Sequence, residues 1–177
     1  MNYVVKISIF IITGLLTYPD ISGQPRWVKG TPSVASVGQF AITVNYGIDR
    51  TGTVYFIVYN YDNKQKLSST QVRSLALSGP SGNIVATAVL SISSANVSRT
   101  LQYIFNGLAP NQIHSIYAVA ANSFGILQPS PVRITATTLS CPSVNAGSGG
   151  EECDLDFKLN AVPGLFPGTW TKTAGPG

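Results

Sequence analysis

Phe40-Ala41-Ile42-Thr43-Val44-Asn45-Tyr46 alternates without a break: Phe40, Ile42, Val44 and Tyr46 face one way, Ala41, Thr43 and Asn45 the other. Successive side chains of a strand point to opposite faces of its sheet, so this is the pattern of a half-buried strand. Working outward, residues 47–52 carry Gly47 and Gly52 and turn the chain. Residues 54–61 are apolar on both faces, which predicts a central strand. Upstream, residues 27–37 begin an extended edge containing Pro32. Downstream, residues 84–92, 100–105, 113–121 and 132–138 read as further short strands between Gly, Pro, Asn and Asp turns. Residues 68–73, Ser-Ser-Thr-Gln-Val-Arg, start like a capped helix and predict a single helical turn. Seven or so strands with no longer helix predict an all-β fold, an antiparallel β-sandwich.

Composition agrees. Of the 177 residues, 44% are hydrophobic and only 10% charged, so a real core can form and wholesale disorder is excluded. The net charge of +4 is uneven. Residues 24–140 hold eight Lys/Arg against Asp49 and Asp62, or +6, whereas residues 141–177 hold two lysines against Glu151, Glu152, Asp154 and Asp156, or −2. The cations are scattered singly, with no stripe to track a phosphate backbone, so no nucleic-acid partner is predicted.

Residues 1–23 have the three parts of a signal peptide: Lys6 in a short start, an apolar run over residues 7–16, and a polar stretch ending at Gly23. Ten residues of apolar helix are too short to span a bilayer. Cleavage is expected between Gly23 and Gln24, and nothing downstream has membrane length. The expected localisation is therefore secreted or cell-surface, with no membrane span after cleavage.

A second unit starts near Ser140 and holds Cys141, a Gly-rich loop, Cys153 and an alternating run through Leu155, Phe157 and Leu159. Residues 140–177 supply three strands at most, too few to close a sandwich. The expectation is a longer protein interrupted inside its second domain. Cys141 and Cys153 enclose eleven residues, and in an exported chain they most simply form a disulfide. Such a bond would stabilise the tail by about 3 kcal/mol.

Residues 107–125 (Gly-Leu-Ala-Pro-Asn-Gln-Ile-His-Ser-Ile-Tyr-Ala-Val-Ala-Ala-Asn-Ser-Phe-Gly) resemble the signature of fibronectin type III domains. Leu108, Pro110, Ile116, Ala118, Ala120, Asn122 and Gly125 match the pattern, and His114 stands where the family places its tyrosine-corner Tyr. The strand at residues 40–46 lacks the tryptophan common in the family, with Tyr46 as the nearest substitute. The variant is similar to one in exported proteins of the Bacteroidota, through residues 52–58, 67–72 and 130–135. The resemblance covers residues 26–139 and implies a fibronectin type III-like (Ig-like) sandwich in which Leu108 and His114 are structural corner residues. The tail, from Ala146 through Cys153, Asn160 and Trp170 to Gly177, is similar to the opening strands of PKD-like Ig-type repeats, which occur in surface and gliding-motility-associated proteins of those bacteria. Residues 140–177 then represent the N-terminal part of such a domain.

Catalytic constellations are sparse. Hydrolysis by a nucleophile needs a base beside it, and the one histidine, His114, sits mid-strand. Asp49 and Asp62 lie in different turns and do not make a glycosidase pair. Zinc would want further Cys or His near Cys141 and Cys153, and the acidic residues 151–156 lack ordered calcium-loop spacing. No enzyme activity, cofactor or metal is predicted. Tyr55, Tyr59 and Tyr61 share one strand face and would stack on sugar rings if exposed, although aromatics on a central strand more often belong to the core. The sequence therefore points to a non-catalytic structural or adhesive module, with affinity in the loops at residues 47–52 or 122–127. Its partners would be the other domains of the same longer chain and a surface polysaccharide or protein ligand. The alternatives are the accessory N-terminal domain of an exported hydrolase and a carbohydrate-binding module.

Overall fold

Residues 52–59 become a strand because β-branched and aromatic side chains fill both faces, and they are central because both faces are covered. A computed structural model describes residues 23–141 of the chain. It contains β1 (Ser33–Val37), β2 (Ala41–Tyr46), β3 (Gly52–Tyr59), α1 (Ser69–Ser78), β4 (Ile84–Ile92), β5 (Leu101–Asn106), β6 (Ile113–Asn122) and β7 (Val132–Thr137). A short 3-10 turn at Ser94–Asn96 precedes β5.

The strands form two antiparallel sheets, β1-β2-β5 and β4-β3-β6-β7. Register follows the alternation read from the sequence. Ile42 and Val44 of β2 pair with Phe105 and Tyr103, while Phe56 and Val58 of β3 pair with Ala118 and Ile116. These inward residues, with Tyr46, Ile48, Val54, Ala88, Ile92, Leu108 and Ala120, are the core between the sheets. Phe56 stands at its centre, edge-on to both Tyr46 and Phe105 with ring centroids 5.8 Å away in each case.

A second core lies on the outer side of the four-stranded sheet. Tyr55, Ile57 and Tyr59 of β3 and Tyr117, Val119 and Ala121 of β6 meet Val72 and Ala76 of α1. The expected single helical turn is thus a ten-residue helix inserted between β3 and β4. Its start is a capping box: the Gln71 N–H donates to Ser68 Oγ (3.2 Å), and the Ser68 N–H donates to Gln71 Oε1 (2.8 Å). Gly79, at φ +80°, ends it. Val72 and Ala76, four apart on one side, face the sheet. The fold is a seven-stranded sandwich with a helical lid on one sheet.

Candidate functional site

The loop leading to the lid forms a dense polar cluster with β6 and β7. Tyr117 projects from the outer face of β6, and its hydroxyl donates between two loop carbonyls, Asn63 O at 2.7 Å and Gln65 O at 2.8 Å. Arg133, opposite Tyr117 on β7, donates from Nε to the same Asn63 carbonyl (2.6 Å) and from Nη2 to Ser115 Oγ (3.1 Å) and to the Asp62 carboxylate. Asn63 is buried, and its Oδ1 accepts from the Gln65 N–H at 3.0 Å, closing a local turn. The loop is therefore pinned to the sheet by two side chains that arise from adjacent strands.

Beside this cluster lies a cleft of about 320 Å³, lined by Lys64, Lys66, Leu67, Tyr117, Pro131 and Arg133 among others. Leu67, Tyr117 and Pro131 give it apolar surface; Lys64 and Lys66 are exposed. Lys64 Nζ stands 3.5 Å from Asp62, too exposed a pair to fix its position strongly. The guanidinium of Arg133 is committed to the loop. Burial raises the pKa of Tyr117 above the usual tyrosine range against the opposing pull of Arg133, and burial together with Tyr61 and Tyr117 does the same for Tyr59. The cleft can seat an anionic group beside an apolar surface. Among the described residues, no three of His, Cys, Asp and Glu come together as a metal site.

The tyrosines read as a possible stacking face are separated by the lid. Tyr55 and Tyr59 are 7% and 8% exposed because α1 and its loop cover them, while Tyr61 is 40% exposed at the rim. Tyr59 packs edge-on against both Tyr61 and Tyr117, and the Arg73 guanidinium lies 5.9 Å above the Tyr55 ring. Tyr55 and Tyr59 hold the helix to the sheet, and offer no open ring to a sugar.

His114 is fully buried and faces away from the cleft, its position in β6 being of opposite parity to Tyr117. Its Nδ1 lies 3.0 Å from the carbonyl of Tyr59 at the end of β3. A carbonyl only accepts, so Nδ1 carries the proton. Leu108 is buried in the main core, and its N–H donates to Phe40 O at 3.0 Å. The turn between them is tied down by a residue that sequence reading passed over. Thr138 Oγ1 donates to Ala109 O at 2.6 Å and accepts from the Gln112 N–H at 3.0 Å.

At the opposite pole the chain leading into β1 is clamped to the β2–β3 turn. The Arg26 N–H donates to Asp49 Oδ1 (2.9 Å), the Asp49 N–H donates to Arg26 O (3.0 Å), and Trp27 bridges to Ile48. Arg50 grips Asp49 through Nε (3.0 Å) and Nη2 (3.2 Å) and donates from Nη1 to Gly23 O (2.9 Å). Asn122 closes the β6–β7 loop, its Oδ1 accepting from the N–H groups of Phe124 and Ile126, with Phe124 left 63% exposed at the tip. Cys141 is exposed, whereas Cys153 and all of residues 1–22 and 142–177 lie outside the described residues, and with them the expected disulfide, the signal peptide and nearly all of the second domain.

The three-plus-four strand arrangement defines an all-β antiparallel sandwich broadly consistent with fibronectin type III and Ig-like topology. No family model matches the chain, and no curated protein matches it. Among solved structures it is similar to a β-sandwich protein from a computer-based redesign study, at 18% identity and a TM-score of 0.37 over 61% of this chain and 89% of that one. What the site and strand order together define is a small all-β domain consistent with a non-catalytic structural module.

Proposed function

We propose that residues 26–139 are a non-catalytic structural module of an exported, multidomain surface protein, where they space and present the domains joined to them. The observation that carries this reading is the placing of the two ends. The incoming chain is clamped at the pole of the β2–β3 turn, through Trp27 and Asp49. The outgoing chain passes the other pole, where the Leu139 N–H donates to Gly38 O (2.9 Å) in the β1–β2 turn. A sandwich entered at one pole and left at the other joins its neighbours in line. With β6 ten residues long, the module adds about 33 Å to such a string.

The test is a replacement in the producing cell. Exchange of residues 26–139 for an unrelated sandwich of similar length should keep the following segment on the surface, and deletion of those residues should shorten its reach. A chain retained in the cytoplasm, or turnover of polysaccharide or peptide substrates by the purified chain, would reject the reading. Turnover that appears only with sequence beyond residue 177 would favour the accessory domain of an exported hydrolase.

One feature supports an adhesive role in addition, the cleft with Lys64 and Lys66 at an apolar wall. It suits an acidic surface polysaccharide or an acidic protein ligand. Retention of the chain on acidic polysaccharide, lost in Lys64→Ala with Lys66→Ala, is the corresponding measurement.

A further inference from the structure

The two poles of the sandwich differ in charge. At the pole where the chain enters, residues 23–31 meet the β2–β3 turn, the residues before β5 and the β6–β7 loop. Val28 N–H donates to Gly47 O (3.0 Å), Ser98 N–H to Ile48 O (2.8 Å) and Ser123 N–H to Thr51 O (3.1 Å). This pole gathers Arg26, Lys29, Arg50 and Arg99 against Asp49, four cations to one carboxylate or +3. Arg26, Lys29 and Arg99 are exposed, and Asp49 is already engaged by Arg50 and the Arg26 N–H. The opposite pole, residues 38–40, 107–112 and 138–141, holds no charged residue. The charged pole also presents an apolar tip, where Phe124 and Ile126 are 63% and 38% exposed. Asn122 Oδ1 accepts from both their N–H groups, at 3.0 and 2.9 Å, so the tip is held in shape while its side chains stay exposed. The same pole has a cleft of about 450 Å³ lined by Gln24, Arg26, Arg50 and Pro129 among others.

We infer that this pole is a peripheral membrane-docking surface, and that its occupant is a bilayer with anionic headgroups. Cations near such a surface are drawn to it, and each adds to the binding. The cleft has room for a headgroup phosphate, which the Arg26 guanidinium at its rim can meet with paired hydrogen bonds. Phe124 and Ile126 decide between a bilayer and a soluble polyanion. An acidic polysaccharide would use the cations alone and leave both side chains in water, whereas a bilayer takes them below its headgroups. The chain itself brings a membrane to this pole. The apolar run of residues 7–16 ends seven residues before Gly23, a span of at most about 25 Å. Gly23 O accepts from Arg50 Nη1 and Asn122 Nδ2, both at 2.9 Å, and is thereby fixed to the pole. A bilayer that holds the run therefore lies beside the charged pole, with the uncharged pole turned away from it. The inference goes beyond the spacer reading, since it names the base on which the string of domains stands.

Flotation of the full chain with vesicles of phosphatidylcholine and phosphatidylglycerol, about two to one, at low ionic strength reads the contact. Binding should exceed that to phosphatidylcholine alone and fall as salt is added. Phe124→Ser should weaken it about tenfold, and Lys29→Gln with Arg99→Gln roughly 10–30-fold. Leu139→Ser, at an exposed apolar position of the uncharged pole, should leave it unchanged. Lys64→Gln with Lys66→Gln, at the cleft on the outer face, should do the same. If circular dichroism shows Phe124→Ser unfolded, Ile126→Ser should weaken binding in the same direction. The apolar run would hold vesicles of either lipid by itself, so equal binding by wild type and Phe124→Ser would overturn the assignment. So would equal binding to neutral and anionic vesicles, a matching loss in the Leu139 or Lys64 variants, or retention on acidic polysaccharide without binding to vesicles.

Discussion

The hydroxyl of Tyr117 and the backbone carbonyl of Asn63, 54 positions apart in the chain, stand 2.7 Å from one another and fasten the loop before α1 to the outer face of β6. Arg133 Nε donates to the same carbonyl from the neighbouring strand. Tyr117→Phe keeps the ring in its core and removes the hydroxyl. We expect a loss of about 1 kcal/mol, since the Asn63 carbonyl keeps its Arg133 donor. Amide exchange should quicken over residues 60–68 more than in β6. Uniform quickening over the whole sandwich would show that the hydroxyl does not act on the loop.

Gly52 opens β3 where it crosses Ala121 and Asn122 of β6. A Cβ at Gly52 would collide with the carbonyl oxygen of Ala121, which is backbone and cannot swing aside. Gly52→Ala should therefore destabilise by roughly 1–3 kcal/mol. Gly38→Ala, where a Cβ meets ordinary van der Waals neighbours, should fall within about 0.5 kcal/mol of wild type. Urea melts that rank the two alike would refute the close approach.

His114 couples β6 to the end of β3, through Nδ1 and the Tyr59 carbonyl, and its Nε2 meets no hydrogen-bond partner among the described residues. His114→Phe loses one hydrogen bond but also removes a buried polar atom without a partner, so the change should stay within about 1 kcal/mol. His114→Ala loses the ring and should cost roughly 2–4 kcal/mol. Equal losses for the two variants in thermal or urea unfolding would mean that the hydrogen bond, not the packing, dominates.

Two limbs of the pH profile follow from opposite shifts. Burial raises the pKa of Tyr46, Tyr59 and Tyr117, so the folded chain keeps phenolic protons that the unfolded chain releases. Their contribution is complete below about pH 10 and is lost as pH rises through the raised values. Asp49 moves the other way: burial opposes its charge, but the hydrogen bonds from Arg50 and the Arg26 N–H and the charge of Arg50 outweigh it. Its contribution is complete above about pH 4 and is lost as pH falls through the lowered value. Melting temperature measured against pH should fall at both ends, and Asp49→Asn should flatten the acid limb alone.

The strands were legible because alternation is local. Residues 84–92 were read from the sequence with the same bounds as β4, and β2 and β7 differ from their readings by one residue. The helix was underread because Val72, Leu75, Ala76 and Leu77 make a short apolar stripe among serines, and the capping box marks only its start. What covers the second face of β3 was not legible either. Apolar residues on both faces say that a layer exists, but not that the layer is the chain's own insertion, so core burial of Tyr55 and Tyr59 is expected from the central strand while the helix that covers them is not. Asn63, Arg133 and Thr138 were missed for a related reason. Each is a lone polar residue whose partners are brought near by the sheets, 70 positions away in the case of Arg133 and Asn63. No local pattern announces such a pair.

The described segment enters the sandwich at one pole and leaves it at the other, and this has a mechanical consequence. Tension applied through the flanking residues would pull β1 toward one pole and β7 toward the other, each along its own axis. Ladder hydrogen bonds run across the strands, so such a load is shear, borne by the β1–β2 and β6–β7 ladders as a whole instead of being peeled one rung at a time. The clamp of Arg26 on Asp49 lies in series with β1 and would take the load first. In an optical trap, Asp49→Ala should lower the first yield point while leaving the main rupture force of the sandwich in place.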